Sequence, residues 1–373
     1  MPVQTVIGAR PPSHAASLEV TPHRIARSRA PLRLGLAGGG TDVSPYCDDF
    51  GGLVLNTTID RYCHTTVSEG TDDAVRFCAA DQHLGTDMGP AGRGPAGLGT
   101  SALPLHEASY RRVCQEFGLG RPALTLTTAS DAPPGSGLGS SSTMVVSIVE
   151  ALREYFSLPL DRYDVARLAF IIEREDCGFG GGRQDQYAAT FGGFNSMEFQ
   201  AGVPFVSPLR IPSAIVQEFE ASIVLYYTGV SRASAEIIAE QAGHVRSGEE
   251  RQIEATHALK QEAVAMRDAL VVGDLSQVAA VINRGWQAKK QLAGAISSPE
   301  IETVLAAASG AGALAGKVSG AGGGGYVILI VDPVLRPSLV ATLSALSGQA
   351  GLAAGRVETV HFVEEGAVAW TVR

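Results

Sequence analysis

Three glycine clusters, Gly35 to Gly40, Gly135 to Gly139 and Gly320 to Gly325, mark where this chain can bring its backbone close to a ligand. Glycine permits positive φ and puts no Cβ in the way, so a row of amides can face an anion. The middle cluster, PPGSGLGSSS at residues 133–142, has the fullest pattern: prolines stiffen its entry and three hydroxyls stand at the start of a helical sequence. Free amides at a helix start suit a triphosphate. Pro134, Gly135, Ser136, Gly137, Leu138, Gly139, Ser140, Ser141 and Ser142 are the candidate phosphate-binding residues, with a plain flexible turn as the alternative.

Other nucleotide motifs fail on their details. In AGALAGKVSG, Lys317 is followed by Val318 and the leading glycine position is Ala311, so no Walker A loop is present. Gly320, Gly322 and Gly325 have dinucleotide-fingerprint spacing but precede a strand instead of following one. Asp49-Phe50-Gly51 lacks the partner motifs of a protein kinase.

Phosphoryl transfer needs magnesium, charge stabilisation and a group that orients or deprotonates the attacking hydroxyl. Asp185, in GGGRQDQY, stands at a predicted helix start where amides and Arg183 keep it ionised; it reads equally as a base and as a helix cap. Glu173, twelve residues earlier, can share magnesium with Ser141, or be a solvated helix residue. Asp42, after Gly39, Gly40 and Thr41, can meet sugar hydroxyls or stabilise its own turn. Arg33 lies in an apolar strand pattern, where an unpaired charge is costly, so it points into a polar site or pairs with a carboxylate such as Asp185; a surface-facing arginine is the alternative.

The elements that must position these residues are legible in outline. A strand is expected from Ile25 to the first glycines, and others at 52–67, 123–128, Tyr326 to Val331 and Arg356 to Val363. Met144, Ile148, Leu152 and Phe156 predict a helix after the central loop, and further helices are predicted at about 161–177, 233–271 with a break at Gly248, and 274–293. Residues 85–104 read as a surface loop or lid, 203–213 as a domain junction, and 1–24 as a disordered tail that also weakly resembles a transit peptide. Strands and helices mix without regular alternation, which predicts an α+β fold with domains at 25–205 and 206–373.

The net charge of −9 argues against general affinity for nucleic acid or anionic membrane, so any phosphate must be held by local groups. Five scattered cysteines suggest neither a zinc site nor a disulfide framework and fit the cytoplasm. A homo-oligomer is compatible with these features.

Taken together, the chain resembles the GHMP kinase superfamily of galactokinase, homoserine, mevalonate and phosphomevalonate kinases. Three of its motifs appear in order: RAPLRLGLAGGGTDVSPYCDDFGGLVLNTTID at Arg29 to Asp60, PPGSGLGSSSTMVVS at Pro133 to Ser147, and KVSGAGGGGYVILIV at Lys317 to Val331. The resemblance implies a two-domain fold with a cleft site, ATP on the second motif, Mg2+ near Ser141 and Glu173, and a site lined by the third motif through residues such as Gly322 and Gly323. It implies Asp185 as the catalytic aspartate, Arg33 as the stabilising arginine and Asp42 as a sugar ligand. Gly38-Gly39-Gly40-Thr41-Asp42 stands where galactokinase has Gly-Glu-His-Thr-Asp, which argues against galactose. GGRQDQYAATFGGFN looks like the heptose 7-phosphate kinase branch, implying a sugar phosphate acceptor and phosphorylation at its anomeric oxygen. A phosphorylated acceptor needs a cation, and Arg183, with Arg29 or Arg61, is the candidate, unless Arg183 is a surface residue or a partner of Asp185. A kinase for an unphosphorylated sugar such as fucose, and a non-catalytic sugar- and ATP-binding sensor, are the alternatives.

Overall fold

Apolar alternation from Ile25 onward produces β1 (Ile25–Ala37), which becomes buried on both faces from Ala30 to Leu34 as it nears the first glycines. The computed structural model describes residues 24–70, 72–88, 101–200, 203–230, 234–349 and 351–372. Most of the expected tail, and residues 89–100 of the expected lid, lie outside them. After β1 come α1 (Tyr46–Asp49), β2 (Gly52–Glu69), β3 (Val75–Ala79), β4 (Leu84–Met88), α2 (Pro104–Glu116), β5 (Leu124–Ser130) and α3 (Ser140–Phe156). Next are α4 (Arg162–Ile171), α5 (Gln184–Phe191), β6 (Asn195–Gln200), β7 (Val203–Pro208), α6 (Ser213–Ser222), β8 (Ile223–Tyr227) and α7 (Ser234–Arg246). The rest is α8 (Glu250–Val272), α9 (Leu275–Lys289), α10 (Pro299–Gly310), β9 (Ala313–Val318), β10 (Tyr326–Val331), α11 (Arg336–Ser344), β11 (Arg356–Glu358) and β12 (Val368–Val372). The α+β expectation holds.

The first sheet runs β12-β1-β2-β5-β3-β4, and β6 and β7 branch from it because the long β2 pairs with β6 at its start and with β5 at its end. The second, β11-β8-β10-β9, is antiparallel throughout. Its central strands are apolar on both faces: Ile328 and Ile330 join the core that holds β1 and α3, while Val327, Leu329 and Val331 pack with Trp286, Ile301 and Leu339. One core therefore spans both sheets. The division expected at 205/206 falls inside β7, and β12 returns to the first sheet, so chain segments and sheets do not divide at one place. As an edge strand, β7 tolerates Pro204 and Pro208, which had suggested a junction. The strand expected to run to Val363 stops at Glu358, because Phe362 turns in to stack on Phe219 with ring centroids 5.3 Å apart.

Helix α3 is buried nearly all round, including Met144, Ile148, Leu152 and Phe156, and lies against β1 and β2. That packing fixes where its N-terminus points. None of the described helices is long and apolar enough to cross a membrane.

Candidate active site

The loop into α3 turns through three glycines in the left-handed region, Gly135 (φ 70°), Gly137 (φ 81°) and Gly139 (φ 77°). A Cβ at Gly137 would stand 2.5 Å from the Ser319 carbonyl oxygen, and one at Gly320 2.7 Å from Gly137 Cα. The second and third glycine clusters thus dock backbone to backbone, and Ser319 Oγ adds a 2.8 Å bond to Gly137 O. Among the described residues no side chain caps α3, so its first amides and positive dipole end are left to a cleft of about 520 Å3. Gly135, Ser136, Gly137, Gly139, Ser140, Ser141 and Ser142 line that cleft. Pro134 and Leu138 do not: the Leu138 side chain is in the core, anchoring the loop, and its carbonyl accepts from Arg33 N at 3.1 Å.

Asp185, in the first turn of α5, faces the loop across the cleft floor. A Cβ on Gly139 would lie 3.2 Å from its carboxylate, so only glycine allows that approach. Arg33 Nε donates to Asp185 Oδ1 at 2.7 Å and its NH1 to Gly137 O at 2.6 Å. The buried guanidinium joins the carboxylate to the anion loop, as the cost of an unpaired strand arginine requires.

The α5 N-terminus is held by Asp42. One carboxylate oxygen accepts from Arg183 N (2.9 Å) and Gln184 N (3.1 Å), the other from Gln184 Nε2 and Gly40 N (3.1 Å each). Asp42 is 1% exposed. Asp42 lines the cleft, and its carboxylate also caps the helix that carries Asp185. Thr41 is likewise structural, its hydroxyl bridging Leu53 N and O, while Gly39 and Gly40 do line the cleft. A Cβ on Gly182 would fall 1.9 Å from Asp42 Oδ2. Asp42→Ala should cost roughly 3 kcal/mol of unfolding free energy, since it strips a buried charged cap of all its bonds. Gly182→Ala should reproduce the loss by displacing that carboxylate; denaturant unfolding of both variants checks this.

Arg183 turns away from the cleft. Its guanidinium bonds Ser44 Oγ (3.1 Å) and Asp48 Oδ1 (3.2 Å) and lies over the Phe170 ring. Arg29 and Arg61 pair with Glu365 and Asp60, also outside the cleft lining. Arg183 is the N-cap of α5, two residues before Asp185, so the two side chains leave the helix start in different directions.

Glu173 is buried at the end of α4, where the chain widens into a π turn over Ile172–Asp176. Its Oε2 accepts from Ser142 Oγ (2.6 Å) and Gln186 Nε2 (2.7 Å), and Arg174 NH1 lies 3.2 Å from Oε1. The hydroxyl beside Glu173 is thus Ser142; Ser141 lines the cleft from the exposed side of the same turn. Arg174 also bonds the carbonyls of Phe179 and Gly182, bracing the glycine loop before α5.

The third cluster reaches the cleft through Gly320 and Ala321, not Gly322 and Gly323. Those pack on Ile296, with Gly323 N donating to its carbonyl at 2.8 Å, because β10 leads the chain away. Sequence reasoning also missed Lys289, which lines the cleft from the last turn of α9 and donates to Gly320 O. Burial and the charge of Arg33 hold its ammonium down at about 8, against the upward pull of Asp42 and Asp185. In the sequence it looks like any basic residue at a helix C-terminus.

The GHMP kinases N terminal domain family matches residues 105–193 and the GHMP kinases C terminal family residues 266–354. A D-glycero-alpha-D-manno-heptose 7-phosphate kinase of Campylobacter jejuni is 40% identical over 348 residues, 93% of this chain and 99% of that protein. The crystal structure of a D-glycero-D-manno-heptose 1-phosphate kinase from Bacteroides thetaiotaomicron is 39% identical, covers 93% of this chain and 99% of its own, and superposes with a TM-score of 0.75. Lactococcus lactis galactokinase complexed with galactose shares the fold, with a TM-score of 0.71 at 18% identity, over 92% of this chain and 95% of that one. With both family domains in order and a relative this similar along nearly all of both chains, the protein belongs to the GHMP kinase family.

Proposed function

We propose that the protein transfers the γ-phosphoryl group of ATP to the anomeric hydroxyl of D-glycero-D-manno-heptose 7-phosphate, giving the 1,7-bisphosphate. The observation that carries this is the Asp185 carboxylate, fixed by Arg33 against the glycine loop, in a chain so similar to the C. jejuni heptose 7-phosphate kinase. The α3 amides and glycine loop hold the ATP phosphates. Asp185 accepts the proton of the anomeric hydroxyl as its oxygen bonds the γ-phosphorus; the bond to the β-γ bridging oxygen breaks and ADP leaves. Arg33 steadies the carboxylate and offsets the charge gathering on the phosphoryl oxygens.

Among the described residues no three His, Cys, Asp or Glu side chains are grouped to hold a metal alone. Magnesium arriving on ATP would keep several waters and need one or two protein oxygens. Glu173 and Ser142, beside the first turn of α3, are the residues that fit it. When bound, it neutralises charge on the β- and γ-phosphate oxygens. Five unpaired cysteines accord with a reducing cytoplasm.

ADP release should depend on heptose 7-phosphate in a panel that also holds heptose 1-phosphate, mannose, fucose and galactose. Faster turnover of fucose would replace the substrate, and no turnover with any sugar would favour the sensor. Because Arg183 pairs with Asp48 outside the cleft, Arg183→Ala should change KM for the phosphorylated acceptor less than about twofold; a tenfold rise, roughly 1.4 kcal/mol, would return the phosphate to it.

A further inference from the structure

Three cleft-lining side chains from three different helices keep bonding capacity that the described residues do not use. Gln184, on α5, spends its amide nitrogen on Asp42, while its Oε1 is buried without a partner. Gln241, on α7, has Nε2 buried without a partner. Both residues are 8% exposed. Lys289, on α9, has three ammonium hydrogens, and Gly320 O is its one acceptor among the described residues. They converge on the first glycine cluster. A Cβ on Gly39 would meet Gln184 Nε2 at 3.8 Å and Lys289 Nζ at 3.9 Å, and one on Gly40 would meet Gln241 Oε1 at 3.6 Å.

Unmet buried polar atoms are costly, and two of them beside a lysine with spare hydrogens, around one cavity, imply a ligand that completes them. The unmet set is one acceptor and at least two donors. A polyol supplies hydroxyl hydrogens and oxygens at such spacing, whereas an apolar or purely anionic ligand would leave Gln184 Oε1 unsatisfied. Gly39 and Gly40, with no side chains, leave room for a sugar ring between these groups and Asp185.

Resting on the function proposed above, we propose that Gln184, Gln241 and Lys289 form the subsite that recognises the acceptor sugar: Gln184 accepts from one hydroxyl, while Gln241 and Lys289 donate to other sugar oxygens. This places acceptor recognition on residues from both halves of the chain. Arg183 acts only behind it, through α5.

The test uses the full chain and the variants Gln241→Leu and Lys289→Met, which keep side-chain size and remove the polar atoms. Heptose 7-phosphate binding is measured by calorimetry with a non-hydrolysable ATP analogue present, and KM values are measured with ATP. Each variant should weaken Kd and raise KM for the acceptor roughly tenfold, the loss of one hydrogen bond to a buried group, with ATP affinity changed less than twofold. The pH profile gives a second readout. The groups facing Lys289 are Arg33 from β1, Asp42, Asp185 from α5 and Lys317 from β9, with Glu262 of α8 already paired to Arg284. Acceptor kcat/KM should fall above pH about 8 as Lys289 loses its proton, and that limb should vanish in Lys289→Met. Unchanged acceptor affinity in a variant with wild-type melting temperature, or equal losses for ATP and acceptor, would overturn the subsite. Should Lys289→Met fold poorly, Gln241→Leu decides alone. A protein that binds the sugar without phosphorylating it would sink the proposed function but not this subsite, while one that binds no sugar would sink both.

Discussion

Asp185→Asn is expected to lower kcat by roughly two to four powers of ten, with ATP affinity nearly unchanged. Asparagine keeps the shape of the side chain, and its amide oxygen can still accept the 2.7 Å bond from Arg33 Nε, so the glycine loop and α5 should hold their places. What is lost is the anion that takes the acceptor's proton. Because the loop amides and the α3 N-terminus do not depend on that charge, nucleotide binding should persist by calorimetry while single-turnover transfer collapses. A variant turning over at the wild-type rate would remove Asp185 from the mechanism altogether.

Removing the other partner should be almost as damaging, for a different reason. Arg33→Met takes away the guanidinium that ties Asp185 to Gly137 O, together with its positive charge. Loss of one transition-state donor typically reduces kcat by about 10²- to 10³-fold, and that range is expected here. The fold should survive. The Asp185 side chain keeps 19% exposure, so its stranded carboxylate stays partly solvated and the stability loss should lie below the ~3–5 kcal/mol of a fully buried broken pair. Arg33→Lys should fall between, since an ammonium is a point charge that cannot span both acceptors as a forked guanidinium does. Combined, Asp185→Asn and Arg33→Met should cost less than the product of the single losses, because the two residues act as one unit. Fully multiplicative losses would mean that the ion pair has no shared role. Stopped-flow transfer rates with a thermal melt for each variant read both effects.

The residues that proved legible in the sequence share a local signal. The loop before α3 announced itself by prolines, glycines and hydroxyls followed by helical spacing, and the helix does start at Ser140. Asp185 was placed at a helix start by the glycines before it. Arg33 was legible for an energetic reason: a cation within an apolar strand pattern calls for a polar site or a carboxylate, and the structure supplies Asp185, 152 residues away.

What the motifs left open was which side chain within the right neighbourhood makes each contact. Within the first turn of α3, Ser142 and not Ser141 meets Glu173, because burial of the helix on β1 and β2 sets its rotation and each residue step turns the side chain by about 100°. Asp185 and Arg183, two residues apart at the start of α5, diverge in the same way. Asp42 lines the cleft and also takes four donors, three of them from Arg183 and Gln184, about 140 residues away in the chain. Lys289 and Gln241 carry no signal in their helices, since a basic last turn and a glutamine on a charged helix are ordinary surface features. Only the docking of α7 and α9 beside Gly39 and Gly40 turns them inward.

The amino-acid sequence by itself determined the α+β class, the anion loop at a helix start, and the need of Arg33 for a polar site or a carboxylate, because these follow from backbone freedom, periodicity and the cost of burying charge. Which hydroxyl, which lysine and which glycine face the cleft was decided by tertiary structure alone, since side-chain direction depends on how each helix rotates as its apolar face seats on the two sheets.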